Sequence, residues 1–406
     1  MQRFSMIDHS RFKTEYDIEA QLGSDYFLAI LEAAYKAKEL PREVEAGNIK
    51  IKLQKPDRAT ILDHNEEADL EINIPTDFDL LPDLTIGVDV RFTIENVTLS
   101  FKYLSQRDAI SDLGSSAGNP DLGQKVENKI KNNLNRNLPL MMGNNDIVEL
   151  KAKQLEGTGN FQNVFALGMN LDLKTAPQNQ RSEEEYNQRG NINRAVSFLP
   201  EGKASAVGIP IDTFRYMAND TWHGFATSSN SHPFMVKGKK KGHYKSVSIG
   251  PAYGSIIISI KSEYCIDNWP DTDVTAIFTI TPIIVSEKLN FDIKLQDFDA
   301  DSGVGGVTAM ELTEILKENA LGNRALSEAK RRGVASVLSA FPVRKTLFTN
   351  REDSLVDEGH DIVTLFEGVE VNPEGMSFWG KAKAGITLTP KDAKLISRKN
   401  TDDAES

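Results

Sequence analysis

The chain has 406 residues, 39% hydrophobic and 26% charged, with a formal net charge of −12, which is enough for two globular units of about 200 residues each. The acidic balance excludes a general nucleic-acid binder, which needs basic surface to displace counterions from phosphates, and the one cysteine, Cys265, excludes an internal disulfide. No stretch approaches the roughly 20 apolar residues of a membrane-spanning helix, and Met1 to His9 hold no apolar signal core, so the expected location is cytoplasmic, or exported without a signal peptide.

In chain order, a short extended segment at Tyr16–Leu22 leads to a first helix behind Ser24 as N-cap, with Phe27, Ile30, Leu31, Ala34 and Tyr35 on one stripe. Alternating strands follow at Ile49-Ile51-Leu53 and Leu70-Ile72-Ile74. A long one runs from Leu84 to Phe101, with a one-residue slip at Glu95-Asn96 that reads as a bulge or turn. A second helix after Pro120 carries Leu122, Val126, Ile130, Leu134 and Leu138 in a four-residue ladder. The strand Phe165-Leu167-Met169-Leu171-Leu173 closes the first half. Residues 177–193 form a polar run with nothing to bury, the expected linker or loop. A third helix from Asp212 offers Phe214, Met217, Ala218 and Trp222, and Leu289-Phe291-Ile293-Leu295 alternates with polar residues as a strand. A long helical region from Val307 to Ala340 breaks near Gly322-Asn323, and a polar tail begins at Ser397. Strands with one apolar and one polar face belong to antiparallel sheets. The order strand, helix, several strands, helix, strand excludes a doubly wound parallel sheet.

That order occurs twice. Asp146-Ile147-Val148-Glu149-Leu150 returns as Asp361-Ile362-Val363-Thr364-Leu365, and the apolar-Pro pair Leu138-Pro139 returns as Phe341-Pro342. The opening unit Ala20-Gln21-Leu22-Gly23-Ser24-Asp25 aligns with Val207-Gly208-Ile209-Pro210-Ile211-Asp212. The spacings are 212 − 25 = 187, 342 − 139 = 203 and 361 − 146 = 215. They keep their order and rise steadily, as in a diverged duplication with loop insertions.

Long alternating strands with two helices, used twice, resemble the tubular lipid-binding (TULIP) superfamily, and more fully its two-domain members of the bactericidal/permeability-increasing type. The residues that carry the likeness are Tyr16 to Phe27, Ala206 to Met217, and the closing strand Phe366 to Met376. Unlike the secreted animal members, the chain has no cysteine pair. It is more similar to bacterial relatives such as the OrfX-type proteins of clostridial toxin gene clusters. The resemblance implies an α+β fold of two tandem TULIP-like units, each a long, highly curved antiparallel sheet wrapped around a long helix. The expected domains are an N-terminal unit over 1–176, the linker 177–193, a C-terminal unit over 194–396 and the tail 397–406.

A gap between such a helix and sheet suits an acyl chain, because each buried CH₂ is worth about 0.8 kcal/mol. The expected tunnel lining is Phe27, Ile30, Leu31, Ala34 and Tyr35 in the first half and Phe214, Met217 and Trp222 in the second. The basic run Lys237, Lys239, Lys240, Lys241 and Lys245 reads either as a solvated hairpin tip or as a loop that meets an anionic membrane surface. Chemistry-like motifs fail on context. Gly114-Ser115-Ser116-Ala117-Gly118 lacks the strand and helix of a nucleophile elbow. Asp297-Phe298-Asp299-Ala300-Asp301-Ser302-Gly303 has Ser where a calcium loop needs Gly and is expected to be a solvated acidic turn. The six histidines have no metal-ligand spacing. The expected protein is therefore not an enzyme, needs no cofactor or metal, and binds a lipid or other long apolar ligand. The alternative is an interaction or scaffold component of a bacterial toxin or secretion assembly, with a protein partner and closed tubes.

Overall fold

The computed structural model describes Tyr16, Thr213 and residues 18–46, 49–62, 68–79, 84–95, 98–107, 120–139, 147–155, 163–171, 197–211, 233–236, 239–264, 272–301, 344–350 and 356–390. Among these, strands predominate. The first half contains β1 (Ile18–Leu22), α1 (Ser24–Lys36), β2 (Glu43–Ala46), β3 (Ile49–Leu53), β4 (Arg58–Ile61), β5 (Leu70–Asp77), β6 (Thr85–Glu95), β7 (Thr98–Arg107), α2 (Pro120–Leu134), β8 (Arg136–Pro139), β9 (Ile147–Leu155) and β10 (Val164–Leu171). The second contains β11 (Ser205–Pro210), β12 (Pro233–Val236), β13 (Lys239–Ala252), β14 (Ser255–Tyr264), β15 (Thr272–Val285), β16 (Lys288–Asp301), β17 (Arg344–Asn350), β18 (Val356–Asn372) and β19 (Gly375–Pro390).

These strands form three antiparallel sheets. One belongs to the first half, in the order β2-β3-β5-β6-β7-β8 with β4 on β5, and one to the second, in the order β12-β13-β14-β15-β16. The third is shared, in the order β17-β18-β19-β11-β1-β10-β9. At its centre the two opening strands of the repeat pair with each other. Ala20 stands opposite Val207, Glu19 opposite Gly208 and Gln21 opposite Ala206. Because 207 − 20 = 187, the spacing of the sequence repeat, the pairing reads the same in both directions and a pseudo-two-fold axis passes between Ala20 and Val207. Outward from it, β10 and β9 on one side match β19 and β18 on the other. In these outer strands the sequence echo is one residue out. Ile18 and its equivalent Ser205 pair with Met169 and Gly380, which in turn pair with Leu150 and Phe366. Leu150 therefore corresponds to Phe366, at 366 − 150 = 216, and not to Leu365. A bulge between Phe366 and Gly368, and another at Asn170/Leu171, shift the ladders by single residues.

Alternation divides the shared sheet into two faces. Ile18, Ala20, Leu22, Val207, Ile209, Phe165, Leu167, Met376, Phe378, Ile362 and Phe366 point into the main core. Tyr16, Val164, Ala166, Leu199 and Ala206 form a smaller cluster on the other face, with Phe198 and Trp379 against it. The main core is continuous across the molecule, taking in α1, Ile51, Leu70, Ile72, Ile86 and Val88 of the first-half sheet, and Ile256, Phe278, Ile280 and Leu289 of the second-half sheet. Helix α1 packs on β17, β18 and β19 as well as β4, so the first half's helix covers second-half strands. The turns of the five-stranded sheet are tied to β18, where Gly254 N–H donates to Val371 O and Phe366 N–H donates to Glu287 O, each at 3.0 Å.

Several expectations are corrected in detail. The N-cap of α1 is Gly23, with Ser24 inside the first turn. Gly23 N–H donates to Ala204 O, and a Cβ there would lie 2.9 Å from Lys203 O, so the crossing chain selects glycine. The single long strand expected over the slip at Glu95-Asn96 is two strands, β6 and β7, that pair antiparallel with Glu95 opposite Thr98, so the chain reverses between them. The ladder after Pro120 stops at Leu134. Asn135 ends it by accepting Tyr103 N–H at 2.7 Å, and Leu138 pairs with Leu99 in β8, because a four-residue apolar step serves a helix only until a cross-strand partner competes. Asp297, Asp299 and Asp301 lie on β16 and not in a turn, so the backbone there is extended where a calcium loop is curled. The long helix expected at the heart of each unit is not found among the described elements. Helix α1 has 13 residues and α2 has 15, and Val307 to Ala340 lie outside the described residues.

Candidate functional site

The first-half lining candidates share one environment. Phe27, Ile30, Leu31 and Ala34 follow each other at helical spacing and are buried in the main core. Phe27 has no exposed surface and meets Tyr26 and Phe165 edge to face, each at 5.9 Å. Tyr35 is half-buried at the rim, its hydroxyl donating to Leu53 O at 3.2 Å and its ring under the Arg42 guanidinium at 5.2 Å. The structure brings these five together. Phe214, Met217 and Trp222 lie outside the described residues.

A second apolar surface is the inner face of the five-stranded sheet. Strands β13, β15 and β16 each have 14 residues, about 45 Å of extended chain. Along β14 and β15 the side chains alternate strictly. Ile256, Ile258, Ala276, Phe278 and Ile280 are buried, while Ile257, Thr275, Ile277 and Thr279 face the other way and are half-buried. On the inner side the core residues are flanked by Ile249, Ile284, Phe291 and Leu295, large apolar side chains that stay only partly buried. Leu289, Phe291 and Leu295 are legible in the sequence as a strand face but not as a lining. What the residues alone do not record is the pairing with β15, which sets Phe278 beside Leu295 and Ile284 beside Leu289.

The basic run opens a hairpin. Lys239 pairs with Val236 and Lys240 with Met235, so Lys239, Lys240 and Lys241 begin β13, while Lys237 lies outside the described residues. Lys245 is held by carboxylates. It hydrogen-bonds Asp273 on β15 and lies 2.7 Å from Glu263 on β14. Hydrogen bonding to Asp273, then to Glu263, raises its pKa above the ordinary lysine range.

Buried polar groups were the feature hardest to foresee. Gln21 and Glu19 have no exposed surface on the second face of the shared sheet, where Gln21 Nε2 donates to Glu19 Oε1 at 2.8 Å. Asp361 is fully buried on β18, accepts from Thr387 Oγ1, and lies 3.5 Å from Arg344. His360, on the next position and the opposite face, places Nε2 3.3 Å from Asn350 Nδ2 and 3.6 Å from Glu358. Among the described residues no group of three or more His, Cys, Asp or Glu side chains could hold a metal ion, and no helix is long and apolar enough to cross a membrane. Gly114 to Gly118 lie outside the described residues.

No protein-family model matches the chain, and no curated protein matches it in sequence. Among solved structures, the chain is similar to P47 from Clostridium botulinum A2 at 10% identity and a TM-score of 0.40, covering 93% of this chain and 100% of that one. It is also similar to a lipopolysaccharide binding protein at 10% identity and a TM-score of 0.37, covering 91% and 99%.

Proposed function

We propose that this protein is a non-enzymatic binder of a lipid or other long apolar ligand, built as two tandem TULIP-like units. The reading is supported by the inner face of the five-stranded sheet, where Ile249, Ile284, Phe291 and Leu295 border a buried apolar floor yet keep apolar surface that the chain's own packing does not consume. The α1 stripe, by contrast, is filled by aromatic and aliphatic neighbours, so the ligand belongs against β13 to β16. At about 0.8 kcal/mol per buried CH₂, an acyl chain of about fourteen carbons supplies on the order of 10 kcal/mol before the costs of association. Selection of such a ligand needs no catalytic group. The lysines that open β13 would suit an anionic head group or membrane surface, with Lys245 excepted because Glu263 and Asp273 already neutralise it.

Native mass spectrometry of protein purified from cells, followed by solvent extraction, tests the reading. Lipid in stoichiometric amount is expected, and its content should fall severalfold in a Phe291→Asn, Leu295→Asn variant that stays folded. Ligand-free protein that takes up no fatty acid when it is supplied would overturn it. The rival reading, a scaffold component of a toxin or secretion assembly, is favoured by Ile386 and Leu388. They are 47% and 66% exposed near the end of β19 and would bury against a protein partner. Ligand-free protein carrying a stoichiometric protein partner in the same spectrum is its expected outcome.

A further inference from the structure

The chain that enters β11 crosses the second face of the shared sheet, and it is attached there through side chains. Gln21 Oε1 accepts hydrogen bonds from the backbone N–H of Phe198 at 2.8 Å and of Leu199 at 3.0 Å, with Ser197 Oγ at 3.5 Å. Leu199 then enters the small cluster formed by Tyr16, Val164, Ala166 and Ala206. The chain turns through Gly202, whose φ of 70° lies in the left-handed region, with Lys203 N–H donating to Pro200 O at 3.2 Å. Lys203 Nζ reaches Glu367 at 2.6 Å immediately before β11 begins.

A fully buried amide in the middle of a central strand is not a demand of the sheet. The repeat places Gly208 where the first half has Gln21, since 208 − 21 = 187, and Ala206 where it has Glu19. Strand β11 pairs on both sides without either polar group. The amide is found only in the half over which the connecting chain passes. It donates to Glu19 and accepts from that chain, while the β1–β11 ladder uses main-chain groups of its own.

We propose that residues 197–203 form a strap fastened by Gln21, a device by which the connection between the two halves lifts from the shared sheet without unfolding it. Lifting the strap breaks the hydrogen bonds to Gln21 and uncovers the small cluster. The sheet beneath stays held by the main core on its other face. The outer fastening, Lys203 to Glu367, lies nearer the surface and weakens with salt, whereas the Gln21 fastening is screened from it.

Amide hydrogen exchange on the full-length protein at increasing denaturant tests it. The amides of Phe198 and Leu199 are expected to exchange at least tenfold faster than those of β1 and β11, by an opening that denaturant hardly affects, the mark of a local event. Gln21→Met keeps the bulk but removes the acceptor, and should speed exchange at those two amides on the order of tenfold further while leaving β14 and β15 unchanged. Wild-type strap amides that exchange in step with β1 and β11 at every denaturant concentration would overturn the strap. A folded Gln21→Met variant with unchanged exchange at Phe198 and Leu199 would overturn the fastening. The wild-type measurement decides the question if the variant does not fold.

Discussion

Glu367 sits at the bulge of β18 and receives Lys203 Nζ at 2.6 Å from one side and Lys381 Nζ at 2.8 Å from the other. Burial alone would raise its pKa, but the hydrogen bonds from Lys203 and then Lys381 outweigh it and hold the carboxylate below its ordinary 4.5. A depressed carboxylate contributes stability that is complete above the unfolded-state value and is lost as pH falls through the folded-state value. The difference in melting temperature between wild type and Glu367→Gln should therefore be constant from pH 7 to about 5 and narrow below about 4.5. A difference that widens on acidification would contradict the assignment. Most of this was not legible in the sequence. Lys203, Glu367 and Lys381 are far apart along the chain, and only the β11–β19 and β18–β19 registers bring them together. Gln21 and Glu19 were visible as polar residues between apolar ones, but alternation alone assigns such positions to solvent. They are buried because the second face of this sheet is covered too.

At the level of elements, period-2 alternation was a reliable guide, because strands with one buried face must alternate whatever they pair with. It located β3, β5, β6, β10 and β16 from residues such as Ile51, Ile72, Val88, Leu167 and Leu289. It did not foresee which strands pair, since that depends on main-chain geometry that side-chain hydrophobicity does not record. The β18–β19 hairpin shows the difference. Asn372 closes it by accepting the N–H groups of Glu374 and Gly375 at 2.9 and 3.1 Å, a turn signal readable in the residues. Gly380 has no such local reading. A Cβ there would lie 2.0 Å from Leu365 O, a backbone atom that can move only if the ladder moves. Gly380→Ala should destabilise the protein by about 1–3 kcal/mol through overpacking. Gly250→Ala, where no atom lies within 4 Å of the added carbon, should stay within about 0.5 kcal/mol of wild type. Denaturant midpoints at unchanged slope check both, and equal midpoints would show that the bulge at Gly380 can relax.

For the whole molecule, the pseudo-two-fold axis between Ala20 and Val207 makes the meeting of the halves resemble a symmetric dimer interface joined into one chain. Two kinds of contact cross it. Strands β1 and β11 pair along their length, and α1 lies on β17, β18 and β19. The buried residues of α1, of the first-half sheet and of the five-stranded sheet belong to one cluster, so neither half completes its core alone. Connectivity through residues 177–193 should then matter little once the chain has folded. A protease site introduced within 177–193 and cleaved in the folded protein should leave two fragments that elute together at the size of the intact 45.0 kDa chain. They should unfold in one transition in denaturant. That transition becomes dependent on protein concentration, because unfolding now also separates two molecules. Fragments that part on a sizing column in the absence of denaturant, or that give two separate transitions independent of concentration, would mean that the shared sheet only abuts two self-sufficient units.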